Sequence, residues 1–214
     1  MKEYYSELLK LFQEENKEKA VRYCLNLLEE KKVTVVELYE QILTPALNHI
    51  IVEYKDPDEL IWREHVRSSI VRTIIESCYP YVIAEAEKDE SKGSVIVMCP
   101  EYEKHELGAR IVSDFFTISG YDSVFIGAMT PIKTLLKAID IKKPKYLCLS
   151  VTNTYNLTTT KRTIEAVKNH TDEDIRFLLG GSAFIPNPDA YRHVGGDFLL
   201  HTYEDINNLH KEVL

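Results

Sequence analysis

Ser94-Val95-Ile96-Val97-Met98 opens the second part of the chain. It is a continuous apolar run, rich in β-branched residues, that follows Ser91-Lys92-Gly93 and ends at Cys99-Pro100. Such a run suits a strand covered on both faces. Similar runs follow at Val124-Phe125-Ile126, Tyr146-Leu147-Cys148-Leu149, Phe177-Leu178-Leu179 and Phe198-Leu199-Leu200. Between them lie amphipathic stretches from Leu107 to Ser119, Ile132 to Asp140 and Leu157 to Lys168, with a shorter one around Ala190-Tyr191. A last one runs from Tyr203 to Leu214. Strands alternating with helices predict an α/β domain built on a doubly wound, five-stranded parallel sheet, Rossmann-like and of flavodoxin type.

Upstream of Gly93 the period is different. Residues 1–92 hold no glycine, and their apolar residues recur at helical spacing. The first group is Leu8, Leu9, Leu11 and Phe12, the second Val21, Cys24, Leu25 and Leu28, and the third runs from Val36 to Ile51. A fourth segment opens at Pro57, with Asp56 as its cap, and runs to about Lys88. Four helices with short connections predict an N-terminal four-helix bundle. The expected domains are therefore a helical one over 1–90 and an α/β one over 91–214.

Charge narrows the function classes. The 214 residues carry 26 Lys and Arg against 34 Asp and Glu, a net charge of -8. Residues 1–92 hold 13 basic and 19 acidic side chains, so this half offers no basic recognition helix, and direct binding of nucleic acid is not expected. No apolar run is long enough to span a membrane. The N-terminus lacks the apolar core of a signal peptide. Cys24, Cys78, Cys99 and Cys148 are scattered without metal-ligand spacing, which reads as buried free thiols and a cytoplasmic protein.

In a doubly wound sheet, ligands bind beyond the carboxyl ends of the strands, at the switch point. That rule selects the loop from Cys99 to Gly108 after strand one, Ser150 to Thr154 after strand three and Gly180-Gly181-Ser182 after strand four. A histidine, hydroxyls and a diglycine thus converge on one rim. An imidazole ligates borderline metals, and glycines let a bulky group approach the backbone.

Glu103-Lys104-His105-Glu106-Leu107-Gly108, Ser150-Val151-Thr152 and Gly180-Gly181 resemble the cobalamin-binding domains. These carry Asp-x-His-x-x-Gly, Ser-x-Leu or Ser-x-Thr, and Gly-Gly on the same loops, and a four-helix cap commonly precedes them. The resemblance implies a corrinoid held base-off between cap and α/β domain, with His105 as lower cobalt ligand. It also implies that Glu103 hydrogen-bonds the other ring nitrogen, even though the family's usual acid, Asp, is one methylene shorter. Gly108 would let the first helix pack where the nucleotide tail passes, Ser150 and Thr152 would contact the tail base, and Gly180 and Gly181 would line its slot.

Two branches of the family are similar to this chain. Light-sensing and regulatory members read E-x-H-E-L-G, then a Gly-Ala-x-Thr-Pro stretch, matched here by Gly127-Ala128-Met129-Thr130-Pro131. Their cap carries a Glu-His pair facing the upper axial ligand, resembled by Glu64-His65, and a Trp whose position is held here by Tyr54. That likeness implies a sensor or regulatory module binding adenosylcobalamin. The other branch comprises corrinoid proteins of methyltransferase systems, which carry a methyl group, as methylcobalamin, between partner enzymes. The first half's length fits it. Either branch implies a protein partner, regulator or methyltransferase, and leaves a homo-oligomer open. No nucleophile–base pair marks a self-contained enzyme, and Cys99-Pro100-Glu101 lacks the hydroxyls of a flavin phosphate loop.

Overall fold

The computed structural model describes residues 1–53, 55–87 and 91–212. The chain divides into two compact units, Met1–Glu85 and Ala86–Leu214. The sequence places the boundary after residue 90, and the two units divide after Glu85; residues 88–90 lie outside the described residues.

The helical unit begins with α1 (Lys2–Gln13) and α2 (Lys17–Glu29). Asn16 Oδ1 accepts the Lys19 amide at 3.1 Å and so starts α2. Leu8, Leu11 and Phe12 of α1 and Ala20, Cys24, Leu27 and Leu28 of α2 are buried. The third predicted helix is broken. It comprises α3 (Val35–Glu37), a π-helical turn (Leu38–Leu43), α4 (Thr44–Asn48) and α5 (Ile50–Glu53). Pro45 is the physical reason. Its ring would strike the carbonyl four residues back, and the wider π turn, closed by Thr44 N to Tyr39 O, makes room for it. At the start of this run Thr34 forms a capping box with Glu37, its Oγ1 accepting the Glu37 amide at 3.1 Å. Thr34→Ala is expected to lower unfolding stability by about 1 kcal/mol, measured by urea denaturation.

The fourth helix, α6, spans Pro57–Glu85, where the sequence predicts an end near Lys88. Asp56 Oδ1 caps it by accepting the amides of Asp58 and Glu59, each at 2.9 Å. Its buried face holds Ile70, Val71, Ile74, Ile75, Cys78 and Val82. Arg67, also buried, ties α6 to the third run through Glu53 Oε2 at 2.9 Å and the Ala46 carbonyl at 3.3 Å.

The second unit is the predicted α/β domain. Its strands are β1 (Ser94–Met98), β2 (Asp122–Gly127), β3 (Tyr146–Ser150), β4 (Arg176–Gly180) and β5 (Phe198–Leu200). They form one parallel sheet in the order β2-β1-β3-β4-β5. The connecting helices are α7 (Leu107–Ile118), α8 (Ile132–Lys142), α9 (Leu157–His170) and the short α10 (Ala190–His193). The closing helix α11 spans Tyr203–Glu212, and Leu214 lies outside the described residues.

Strand pleating sends alternate side chains to opposite faces. Ile96, Met98, Leu147, Leu149, Phe177 and Leu179 share a core with Leu135 and Ile139 of α8 and Ile164 and Val167 of α9. Helix α7 packs on β1 and β2, and Phe115 of α7 meets Tyr203 of α11 edge-on at 5.4 Å. Both faces are thus covered, which explains why the inner strands read as unbroken apolar runs. Because β1 lies between β2 and β3, the chain leaves it toward one side and returns on the other, and the switch point falls between β1 and β3.

Candidate functional site

The loop after β1 builds the centre of the site. Glu103 N donates to Pro100 O at 3.0 Å, closing a turn in which Tyr102 adopts a left-handed φ of +72°. That turn carries the Glu103 side chain inward, to 1% exposure, while His105 stays exposed. Met129 N, from the loop after β2, donates to Glu103 O at 3.1 Å and anchors the loop from the other side.

The Glu103 carboxylate accepts five hydrogen bonds. On Oε1 it takes His105 Nδ1 at 2.5 Å and the His105 amide at 3.2 Å. On Oε2 it takes the amides of Thr152 and Asn153 at 3.0 and 2.9 Å and the Asn156 side-chain amide at 2.9 Å. The extra methylene of Glu over Asp therefore reaches the imidazole. Burial by itself would push the Glu103 carboxyl up. The donors from Asn153, Asn156 and His105 outweigh it and bring the carboxyl down to about 2. Glu103 is consequently an anion at neutral pH, and Nδ1 of a neutral His105 ring must carry the proton that faces it. This tautomer leaves the Nε2 lone pair unprotonated, and Nε2 makes no hydrogen bond among the described residues.

Cys99 lies next to this pair, its Sγ donating to the His105 carbonyl at 3.5 Å. Burial, reinforced by the charges of Glu103 and Glu106, pushes its thiol up to about 12. Cys99 is thus a buried, neutral thiol at neutral pH.

The other predicted residues arrive by different means. Ser150, at the end of β3, is buried, and its hydroxyl makes no hydrogen bond among the described residues. A Cβ on Gly108, in the first turn of α7, would stand 3.8 Å from Ser150 Oγ, so these two positions face each other. Thr152 contributes its backbone: the amide to Glu103 and the carbonyl to Ser182 Oγ at 3.1 Å. Gly180 and Gly181 bring the loops after β3 and β4 together, with Val151 N donating to Gly180 O at 2.9 Å. A Cβ on Gly180 would stand 2.9 Å from Leu200 O. One on Gly181, whose φ is +102°, would run into the backbone of Val151. Gly181→Ala is therefore expected to cost about 2 kcal/mol of folding stability, read as a lower urea midpoint at unchanged slope.

Glu64 and His65 lie on α6 in the helical unit. Glu64 Oε1 accepts the hydroxyl of Ser68, and its Oε2 is 3.8 Å from His65 Nε2. The His65 side chain is 74% exposed, so within its own unit the pair is a solvated polar helix face. Tyr54 lies outside the described residues. Sequence reading missed Asn153 and Asn156; the spacing Asn-x-x-Asn just before a helix was the available signal.

No group of three His, Cys, Asp or Glu among the described residues could hold a metal ion. His105 offers one nitrogen donor, oriented by a buried carboxylate and open on Nε2. One imidazole oriented by a buried carboxylate fits a metal whose other ligands come with a macrocycle, and it does not fit a bare ion.

This fold and site define a cobalt-corrinoid-binding α/β module. The chain belongs to the B12-binding domain family, whose model, described as "B12 binding domain", matches residues 93–206. It is similar to trimethylamine corrinoid protein 1 of Methanosarcina acetivorans, with 22% identity over 180 residues covering 84% of this chain and 82% of that one. Among solved structures, the monomethylamine corrinoid protein of Methanosarcina barkeri superposes with a TM-score of 0.81 at 18% identity, over 100% of this chain and 99% of that one. The methanol:cobalamin methyltransferase complex of Methanosarcina barkeri gives a TM-score of 0.51 at 20% identity, covering 99% of this chain and 79% of the matched one. The helical N-terminal unit, as well as the sheet, is thus shared in fold with corrinoid proteins. No described helix is long and apolar enough to cross a membrane.

Proposed function

We propose that this chain is a corrinoid methyl carrier that serves methyltransferase partners, with His105 as the lower ligand of cobalt. The observation that carries the site is Glu103, buried to 1% exposure and held on His105 Nδ1 at 2.5 Å. In this reading Glu103 fixes the tautomer and the plane of the ring and raises the basicity of Nε2. Gly180 and Gly181 admit the nucleotide tail, Gly108 and Ser150 flank it, and the Thr152 amide braces the carboxylate that orients the ligand. When bound, the cobalt supplies the methyl-accepting and methyl-donating chemistry. The chain's own share is to bind, orient and tune.

The carrier role rests on the similarity to the trimethylamine corrinoid protein, which spans most of both chains. A sensor role rests on Glu64-His65 and the Gly127-Ala128-Met129-Thr130-Pro131 stretch. Within the helical unit Glu64 is engaged by Ser68, which favours the carrier.

One experiment separates the two. The chain is loaded with hydroxocobalamin, reduced, and incubated with a methyltransferase fraction from its source cells and radiolabelled methylamines or methanol. A carrier gains label on its bound corrinoid in proportion to protein. In parallel, protein loaded with adenosylcobalamin is sized by light scattering before and after green light. A carrier keeps its mass. An absence of label together with a change of mass on illumination would replace the carrier by the sensor.

A further inference from the structure

One side-chain donor to Glu103 comes from outside the motifs that mark the site. Asn156 stands 53 positions away, and its Nδ2 donates to Glu103 Oε2 at 2.9 Å. Its orientation is fixed by chemistry, because a carboxylate only accepts and the amide nitrogen must face it.

Asn156 also sits where its ordinary role would be different. It is the N-cap residue of α9, and at such a position an Asn carbonyl oxygen normally accepts an amide from the first turn. Here the side chain makes no capping bond. The backbone of the segment is closed by other groups: Asn156 N donates to Asn153 O at 2.9 Å, and Thr160 Oγ1 donates to Asn156 O at 2.8 Å. Asn153 Oδ1 accepts the Tyr155 amide at 3.0 Å and holds the turn that presents Asn156. Asn153, extended and with its Oδ1 on the Tyr155 amide, caps the 3-10 turn Thr154–Asn156 that leads into α9, so Asn156, whose backbone is already helical, has its side chain available to place the amide on the carboxylate. Ser150, which the motif resemblance puts beside the site, makes no side-chain hydrogen bond among the described residues and cannot take over that task.

We infer that Asn156 is a positioning residue for the axial ligand. Its amide, with the Thr152 and Asn153 amides, holds Oε2 and so directs Oε1 onto His105 Nδ1. That contact sets the plane of the imidazole and the direction of Nε2. Without the side-chain amide, Oε2 keeps only its two backbone donors, and the hold that directs Oε1 onto the ring is weaker. The inference rests on the reading of His105 as the cobalt ligand.

The test compares Asn156→Ala and Asn156→Asp with the wild-type chain and with His105→Ala. A capping role and a positioning role give opposite orders for these variants. Asp caps a helix as well as Asn does, so a residue that only caps would tolerate Asp and suffer from Ala. A residue that holds a carboxylate would suffer most from Asp, which sets like charge against like charge. Methylcobalamin is the probe, read by equilibrium dialysis and by the absorption band that separates nitrogen-ligated from base-off cobalt. A second readout uses the protein without corrinoid: the solvent-exchange rate of the His105 Nδ1 proton, followed by NMR.

The expected result is a dissociation constant about 10-fold higher for Asn156→Ala and higher still for Asn156→Asp. The base-off share should rise in the same order, and the Nδ1 proton should exchange faster in both. Circular dichroism should show both variants folded. Wild-type spectra and exchange in both variants would overturn the inference, as would a loss confined to Ala. If His105→Ala itself leaves the spectrum unchanged, the ligand reading fails and this inference fails with it. If His105→Ala abolishes the nitrogen-ligated band while both Asn156 variants keep it, only this inference falls.

Discussion

Replacing His105 with alanine is expected to weaken cobalamin binding by at least 10- to 100-fold and to convert the bound corrinoid to its base-off spectrum. The lower bound follows from the usual effect of removing only the partner of a metal-ligating histidine, about 10–100-fold, whereas the role proposed for His105 makes it the ligand itself. Among the described residues, no group of three His, Cys, Asp or Glu could hold a metal ion in place of the imidazole. Cys99 opens the same loop, and burial pushes its thiol up to about 12. Folding should be nearly unaffected, since the His105 side chain is 59% exposed. Equilibrium dialysis and absorption spectra check the first statement, and urea denaturation of the protein without corrinoid checks the second.

The second large effect belongs to Glu103, and it should reach both stability and binding. A Gln at this position has the same shape, but one of its two terminal atoms becomes a donor. Both carboxylate oxygens face donors: His105 Nδ1 and the His105 amide on one side, Thr152, Asn153 and Asn156 on the other. No rotation of the amide satisfies both sides. Glu103→Gln is therefore expected to cost about 3 kcal/mol, by leaving buried donors unpaired, and to weaken cobalamin binding by about 10-fold or more.

The same carboxylate gives the fold an acid-sensitive limb. Its value in the folded chain, about 2, lies below the 4.5 of a free carboxyl. A depressed folded value means that the unfolded chain binds the proton first, so the contribution is complete above about pH 4.5 and is lost as pH falls toward about 2. Stability of the wild-type chain should fall through that window, and Glu103→Gln should flatten this part of the fall. Urea midpoints measured at a series of pH values give both curves.

Much of this was legible in the sequence, because the physics involved is local. Ser94-Val95-Ile96-Val97-Met98 reads as a doubly covered strand because α7 lies on one face of β1 and the α8–α9 core on the other. Glu103 and His105 are two positions apart, so one turn suffices to bring them together. Gly181 reads in the sequence as a place where a bulky group nears the backbone, and in the fold the group that meets it is the Val151 backbone. The third helix was misjudged as continuous although Pro45 stands within it, and a proline at that place demands a wider turn or a break. Asn156 was not legible for a different reason. Its partner is distant along the chain, and its local setting, just before a helix, argues for a cap. Only the fold, which sets the loops after β1 and β3 side by side, gives that amide a carboxylate to hold.

Whether His105 supplies the nitrogen beneath cobalt is decided by electron paramagnetic resonance of the reduced, cob(II)alamin-loaded protein. An axial nitrogen splits each cobalt line by its nuclear spin. The chain is produced with histidine carrying the heavy nitrogen isotope, while the corrinoid keeps ordinary nitrogen. Ligation by His105 turns each triplet into a doublet in the labelled wild-type protein and removes the splitting in His105→Ala. Triplets that persist in the labelled protein would mean that the corrinoid's own base remains on cobalt, and they would contradict the account.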